Sequence, residues 1–188
     1  MTETLDRVVG DWPEEAQEAA RRTAERYGPP DETMPRRLVW NHPLPWKRIV
    51  VNRDASEHHF PEPHQDRIES WVDLEVPRES AADVAAFNGS IRVNRTRGEV
   101  AATCHVEAVN FLAVNLAHDL VSGRIGVDEA RREYTEMVAS HLMGRPQAYT
   151  SGFAFEPAST GAGTADEDRP VAPHEVPTVS ARGTGRPA

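Results

Sequence analysis

The chain has 188 residues, a formal net charge of −9, a pI of about 5.4 and a mean hydropathy of −0.60. That length suits one domain with a sizeable core. The acidic balance argues against general nucleic-acid or anionic-membrane binding, and no run approaches the roughly 20 apolar residues that span a bilayer.

The opening stretch, "MTETLDRVVGDWPEE", is acidic and lacks the apolar core of a secretory signal, so a soluble, cytoplasmic protein is expected. "DWPEEAQEAARRTAERYGPP" reads as the first helix. Asp11 is placed to cap it, Glu14 and Glu15 suit its positive end, and Gly28-Pro29-Pro30 stops it. Period-two patterns follow. Ile49 and Val51 share a face in "WKRIVVNRD". In "DRIESWVDLEV", Ile68, Val72, Leu74 and Val76 lie on one side, with Arg67, Glu69, Trp71, Asp73 and Glu75 on the other. "SAADVAAFNG" reads as a short helix, and "SIRVNRTRGEVAATC" as a hairpin turning at Thr96-Arg97-Gly98. Two helices complete the pattern, "HVEAVNFLAVNLAHDLVSG" and "VDEARREYTEMVASHLMG", ended by Gly123 and Gly144. The expected fold is α+β: about four antiparallel strands with helices mainly on one face, as a single domain over 1–155. Residues 156–188, rich in Pro, Gly, Ala, Thr and charge, are expected to form a disordered tail.

The chemistry concentrates in "EHHFPEPHQD", residues 57–66, with three histidines, two glutamates and an aspartate. His64 and Asp66 are two apart, just before the strand carrying Ile68. If the extended conformation starts early, both point to the core-facing side. With His58 or His59 as a second histidine, they supply a two-His-one-carboxylate set with open positions for a divalent metal such as Fe, Zn or Mn. Pro61 and Pro63 stiffen the intervening turn. On the 105–121 helix, Cys104, Glu107, Phe111, Asn115 and His118 fall in one stripe about 60° wide. That stripe lines a polar cavity, forms a subunit interface or faces water. Glu107 and His118 are about 16 Å apart by helix rise, too far to share one ion, but either can join His64 and Asp66 in acid–base work. The bland alternative is a solvated polar loop at a strand entrance.

Other features weigh less. The single cysteine excludes an intramolecular disulfide and, on count alone, a cysteine-based zinc site. Cys104 beside His105 suggests a thiolate–imidazole pair, against which adjacent residues point apart and Cys is a commonly buried type. Arg92, Arg95 and Arg97 at the hairpin tip read as a solvated turn before an anion clasp, which leaves nucleic acid unsupported as a partner. Trp46, flanked by prolines, reads as a lid on the core edge or a pocket wall.

The runs "GPPDETMPRRLVWNHPLPWKRIVV", "HHFPEPHQD", "AFNGSIRVNRTRGEVAATC" and "NFLAVNLAHDLVSG" resemble a family of small soluble bacterial proteins of uncharacterised activity, over roughly residues 11–140. The resemblance implies a self-contained domain and carries no activity, cofactor or residue role. Two function classes follow from the residues. One is a His/Asp pocket that binds a divalent metal or a small molecule and does acid–base or metal-assisted chemistry. The other is a non-enzymatic homo-oligomeric accessory module with the 105–121 helix at its interface.

Overall fold

A computed structural model describes residues 2–145 and 147–158. The expected tail therefore lies, from residue 159 onward, outside the described residues. The backbone N–H of Ala158 donates to the Asp73 carbonyl at 3.3 Å, so the described chain continues along the sheet end past residue 155.

The helices are α1 (Thr2–Val9), α2 (Glu14–Tyr27), α3 (Ala81–Phe87), α4 (Glu107–Val121) and α5 (Val127–Leu142). The strands are β1 (Glu32–Met34), β2 (Arg37–Asn41), β3 (Arg48–His58), β4 (His64–Asp73), β5 (Ile91–Asn94) and β6 (Glu99–Cys104). They form one antiparallel sheet in the order β1-β2-β3-β4-β6-β5. The fold is α+β with helices packed on the sheet, but six strands replace the expected four.

The two extra strands escape the period-two pattern for a physical reason. In β2, Leu38, Val39 and Trp40 are all buried, so the alternation of a half-wet strand is absent. The Trp40 indole N–H also reaches back to the Gly28 carbonyl at 2.9 Å, which ties β2 to the end of α2. β1 has only three residues and is held by backbone pairing to β2 rather than by buried side chains. The expected cap on α2 is also replaced. Pro13 occupies the N-cap position, and the Asp11 carboxylate lies 3.5 Å from Arg53 instead.

β4 is the centre of the sheet. It pairs with β3 on one side and β6 on the other, and its core face carries Ile68, Ser70 and Val72. α4 lies across β4 and β6, with Asn110 donating to the Ile68 carbonyl at 2.8 Å and to Ser70 Oγ at 3.0 Å. The apolar part of the core gathers Trp46, Phe87, Phe111, Leu112, Leu116 and Tyr134. The other face of the sheet is polar. Arg48, Glu69, Trp71, Arg92 and Thr103 border an open groove there, with Arg48 stacked 4.7 Å from the Trp71 ring.

The mixed stripe of α4 is covered by the chain itself. Phe111 packs on Trp46 at 4.4 Å and on Phe153 at 5.0 Å. Asn115 holds the covering segment with its whole amide. Nδ2 donates to the carbonyls of Tyr149 (3.1 Å) and Gly152 (2.8 Å), and Oδ1 accepts from the Ala154 N–H at 2.8 Å. Among the described residues no helix is long and apolar enough to cross a membrane.

Removing one buried amide that satisfies three backbone groups leaves each without its partner. Asn115→Ala is expected to lower the unfolding free energy by about 2–3 kcal/mol in urea titrations. It should also open residues 147–155 to protease cleavage before the rest of the domain. Unchanged cleavage would show that the segment is held by Phe153 alone.

Candidate metal centre

β4 begins at His64 and runs without a break into the apolar part of the strand, so His64, Asp66 and Ile68 share the core face. Its partner β3 carries a bulge between Val51 and Ser56, after which His58 stands directly opposite His64. The two imidazole rings are 4.9 Å apart. Residues 59–63 form the connecting loop. Its tip is clamped by Phe60, which stacks on Tyr134 at 5.3 Å and lies under the Arg131 guanidinium at 3.8 Å. Aromatic contacts of this kind are worth about 0.5–1.5 kcal/mol each. The hairpin that presents both histidines is therefore anchored to α5.

Asp66 is 5 % exposed and sits between the two histidines. Its Oδ1 lies 3.1 Å from His64 Nε2, and its Oδ2 3.5 Å from His58 Nδ1. The Ser90 hydroxyl donates to Asp66 Oδ2 and lies 3.0 Å from His58 Nδ1. With the Ser90 proton committed to Asp66, His58 Nδ1 is the donor in that second bond. His64 is fixed from its other nitrogen, Nδ1, which donates to the Glu62 carbonyl at 2.8 Å.

That last bond sets the chemistry. With the proton on Nδ1, neutral His64 has a lone pair on Nε2. Yet Nε2 and Asp66 Oδ1 are both buried and neither has a hydrogen-bond partner of acceptable geometry. In neutral His64, two lone pairs would face each other at 3.1 Å. A buried polar pair of this kind is costly unless a cation, either a proton or a metal ion, lies between the two atoms.

Cys104 ends β6 opposite Ile68 and so faces the same side of the sheet. Its Sγ lies 3.5 Å from His105 Nδ1, and the His105 ring is 5.1 Å from that of His64. Burial pushes the thiol up, but hydrogen bonds from His105 and His64 and from the Val106 N–H outweigh it and bring the pKa to about 7. His64 moves the other way. The nearby Asp66 carboxylate and Cys104 sulfur raise it to about 10 against the cost of burial. Burial holds His58 below its usual value, with Asp66 only partly opposing, so its ring is neutral at neutral pH. Both shifts favour the ion pair, with His64 cationic and Cys104 anionic.

Among the described residues, two overlapping sets of side chains have donor atoms within 4.8 Å of one another: His58, His64 and Asp66, and His64, Cys104 and His105. These His, Asp and Cys groups cluster closely enough to chelate a divalent metal. His64 is common to both sets, so one ion at His64 takes one set or the other. The expectation from cysteine count fails here, because a mixed set needs only one thiolate.

The other residues singled out in the sequence are elsewhere. His59 is on the outside of the loop, 69 % exposed, with Glu57 at 3.5 Å as its neighbour. Glu107 starts α4 but faces away from the cluster. It accepts from Trp46 Nε1 at 2.7 Å, from the Tyr27 hydroxyl and from Arg26 at 2.8 Å, a network that ties α2 to α4. Burial and the Glu107 carboxylate together push the Tyr27 hydroxyl up. His118 stacks on Phe155 at 4.2 Å and lies beside Arg124, at the far end of α4. The sequence reading sets the Cys104–His105 pair aside and passes over Ser90. Their signal was register: β5 and β6 had to be placed beside β4 before any of the three could be seen to converge.

No family model, curated protein or solved structure matches the chain.

Cys104 is the sole thiol, so its ultraviolet absorbance reports one group. In the folded, metal-free protein the thiolate band is expected to grow as pH rises through about 7, against the usual 9.0 in the unfolded chain. A folded pKa below the unfolded one means that this group's stabilisation is complete above pH 9.0 and is lost as pH falls through about 7. His105→Ala should move the midpoint upward. A midpoint that stays near 9.0 in the wild type would remove the thiolate from the site.

Proposed function

We propose that this protein binds one divalent first-row metal ion at His58, His64 and Asp66, and uses it on a small molecule. The observation that carries the reading is the buried, unbonded pair His64 Nε2 and Asp66 Oδ1, held 3.1 Å apart with the His64 proton committed to Glu62. Two imidazoles and one carboxylate suit Fe(II), Zn(II) or Mn(II) and leave open positions for water or a ligand. Ser90 and the Glu62 carbonyl act as the outer partners that orient Asp66 and His64. A bound ion in such a site polarises a ligand oxygen or lowers the pKa of a bound water, which is the chemistry of metal-assisted hydrolysis. Asp66 and His64 are too buried to serve freely diffusing partners, so any substrate reaches the ion through a cleft.

A second reading is favoured by Cys104. If the cation between the acceptors is a proton, His64 and Cys104 form a thiolate–imidazolium pair for acid–base work without metal. Metal content separates the two. The non-enzymatic interface on α4 has less support, because Phe111 is 1 % exposed and Val114 0 % within the single chain.

Untagged protein purified without chelator is expected to carry near-stoichiometric metal by elemental analysis, or to take up one equivalent of Zn(II), Fe(II) or Mn(II) on incubation. His64→Ala and Asp66→Ala should each lower that content at least tenfold while the circular dichroism spectrum persists. Glu107→Gln, His118→Ala and His59→Ala should retain it. Full metal content in a folded Asp66→Ala protein would transfer the ion to His64, Cys104 and His105; no uptake by the wild type would leave the proton reading.

A further inference from the structure

Beside the cluster, between the first turns of α2 and the start of β4, lies a cleft of about 420 Å³. Its inner end is bordered by His64 and His105, its wall by Arg67, and its mouth by Glu14, Glu18 and Arg22. The volume lies within the about 300–1,000 Å³ common for small-molecule sites.

Arg67 is the feature that asks for a ligand. It is 5 % exposed, and buried arginines are ordinarily paired with a carboxylate. Here it is not. Nη1 donates to the Arg53 carbonyl at 2.7 Å and Nη2 to Gln65 Oε1 at 2.6 Å, both uncharged acceptors. Nε makes no hydrogen bond. The nearest carboxylate, Glu15, is at 3.9 Å, beyond hydrogen-bond reach. The guanidinium thus keeps spare N–H donors, one on each Nη, and a positive charge at the cleft wall answered only by the exposed, unbonded Glu15 carboxylate.

The mouth has the opposite sign. Glu14, Glu15 and Glu18 all border the cleft and are exposed on α2; Glu18 has Arg22 at 3.8 Å and Glu15 has Arg67 at 3.9 Å, both beyond hydrogen-bond reach. A plain anion reaching Arg67 would pass three carboxylates. A plain cation held at the mouth would leave Arg67 unanswered.

We infer that the cleft binds a small zwitterion of the amino-acid class, its carboxylate on the free N–H groups of Arg67 and its ammonium at Glu14 and Glu18. The inner end of the molecule then lies beside His64. The inference rests on the proposed function only for what happens to the ligand there; the charges that hold it are present without metal.

The test uses the full chain, metal-free and Zn(II)-treated, and pools of common L-amino acids, of short-chain carboxylates and of alkylamines. Binding is read from the backbone amide shifts of Gln65, Arg67 and the first turns of α2. The amino-acid pools should shift these amides saturably in the metal-free protein, at least tenfold more tightly than either single-charge pool. Glu14→Gln/Glu18→Gln, both exposed, should reduce amino acids to the level of carboxylates. Arg67→Gln should abolish both; should that variant not fold, the surface pair decides. Equal affinity for carboxylates and amino acids in the wild type, equal affinity for amines, or no shift from any pool would each overturn the inference. Metal uptake measured on the same samples reports separately on the metal site, so the two readings fail independently.

Discussion

Strand β4 is paired on both sides, and everything at the site depends on the alternation this imposes. A strand flanked by β3 and β6 cannot slip by one residue without moving Ile68, Ser70 and Val72 out of the core. The same parity therefore holds His64 and Asp66 on the core face. β6 stops at Cys104, opposite Ile68, so residues 64–67 of β4 run on past its end without a β6 partner. That missing stretch of sheet is where the cluster sits. The bulge in β3 then restores the register that puts His58 across from His64.

The cluster is an electrostatic arrangement before it is a catalytic one. Glu62 accepts the His64 Nδ1 proton, Ser90 turns Asp66, and His105 and His64 share the Cys104 sulfur. Each contact leaves less freedom in where the remaining lone pairs point. Low local dielectric makes the unpaired acceptors more costly than they would be in water. The hairpin loop carries this at its end only because Phe60 is fixed between Tyr134 and Arg131. Packing on α5 and polar order at the site are thus one structure. Lys47 shows the contrasting case, a half-buried charge answered by two carboxylates, with Glu99 at 3.0 Å and Asp73 beside it.

The sequence carried the central strand well. "HQDRIESWV" has enough apolar alternation for the parity of His64 and Asp66 to be read directly, and the glycine ends of α4 and α5 are as expected, with positive φ at Gly123 and Gly144. β1 and β2 were illegible because one is held by backbone pairing alone and the other is buried on consecutive residues. The site was half legible. His58 could not be separated from His59 by local pattern, since only the β3 register turns one inward. Glu107 and His118 looked like site residues because ionisable groups on an apolar helix invite that reading. Here they are satisfied by Trp46, Tyr27 and Arg26, and by Phe155 and Arg124. Ser90, Cys104 and His105 converge from different elements, and no spacing in one sequence encodes that.

The central claim is that a cation lies between His64 Nε2 and Asp66 Oδ1, and that a metal can replace a proton there. Nitrogen-15 spectra of the His64 ring test it most directly, since they report each nitrogen's protonation separately. In metal-free protein at neutral pH both nitrogens should be protonated, as the raised pKa of about 10 requires. One equivalent of Zn(II) should strip the proton from Nε2 and leave the Nδ1 proton on the Glu62 carbonyl. An Nε2 that stays protonated at saturating zinc, or is unprotonated before any is added, would contradict the account.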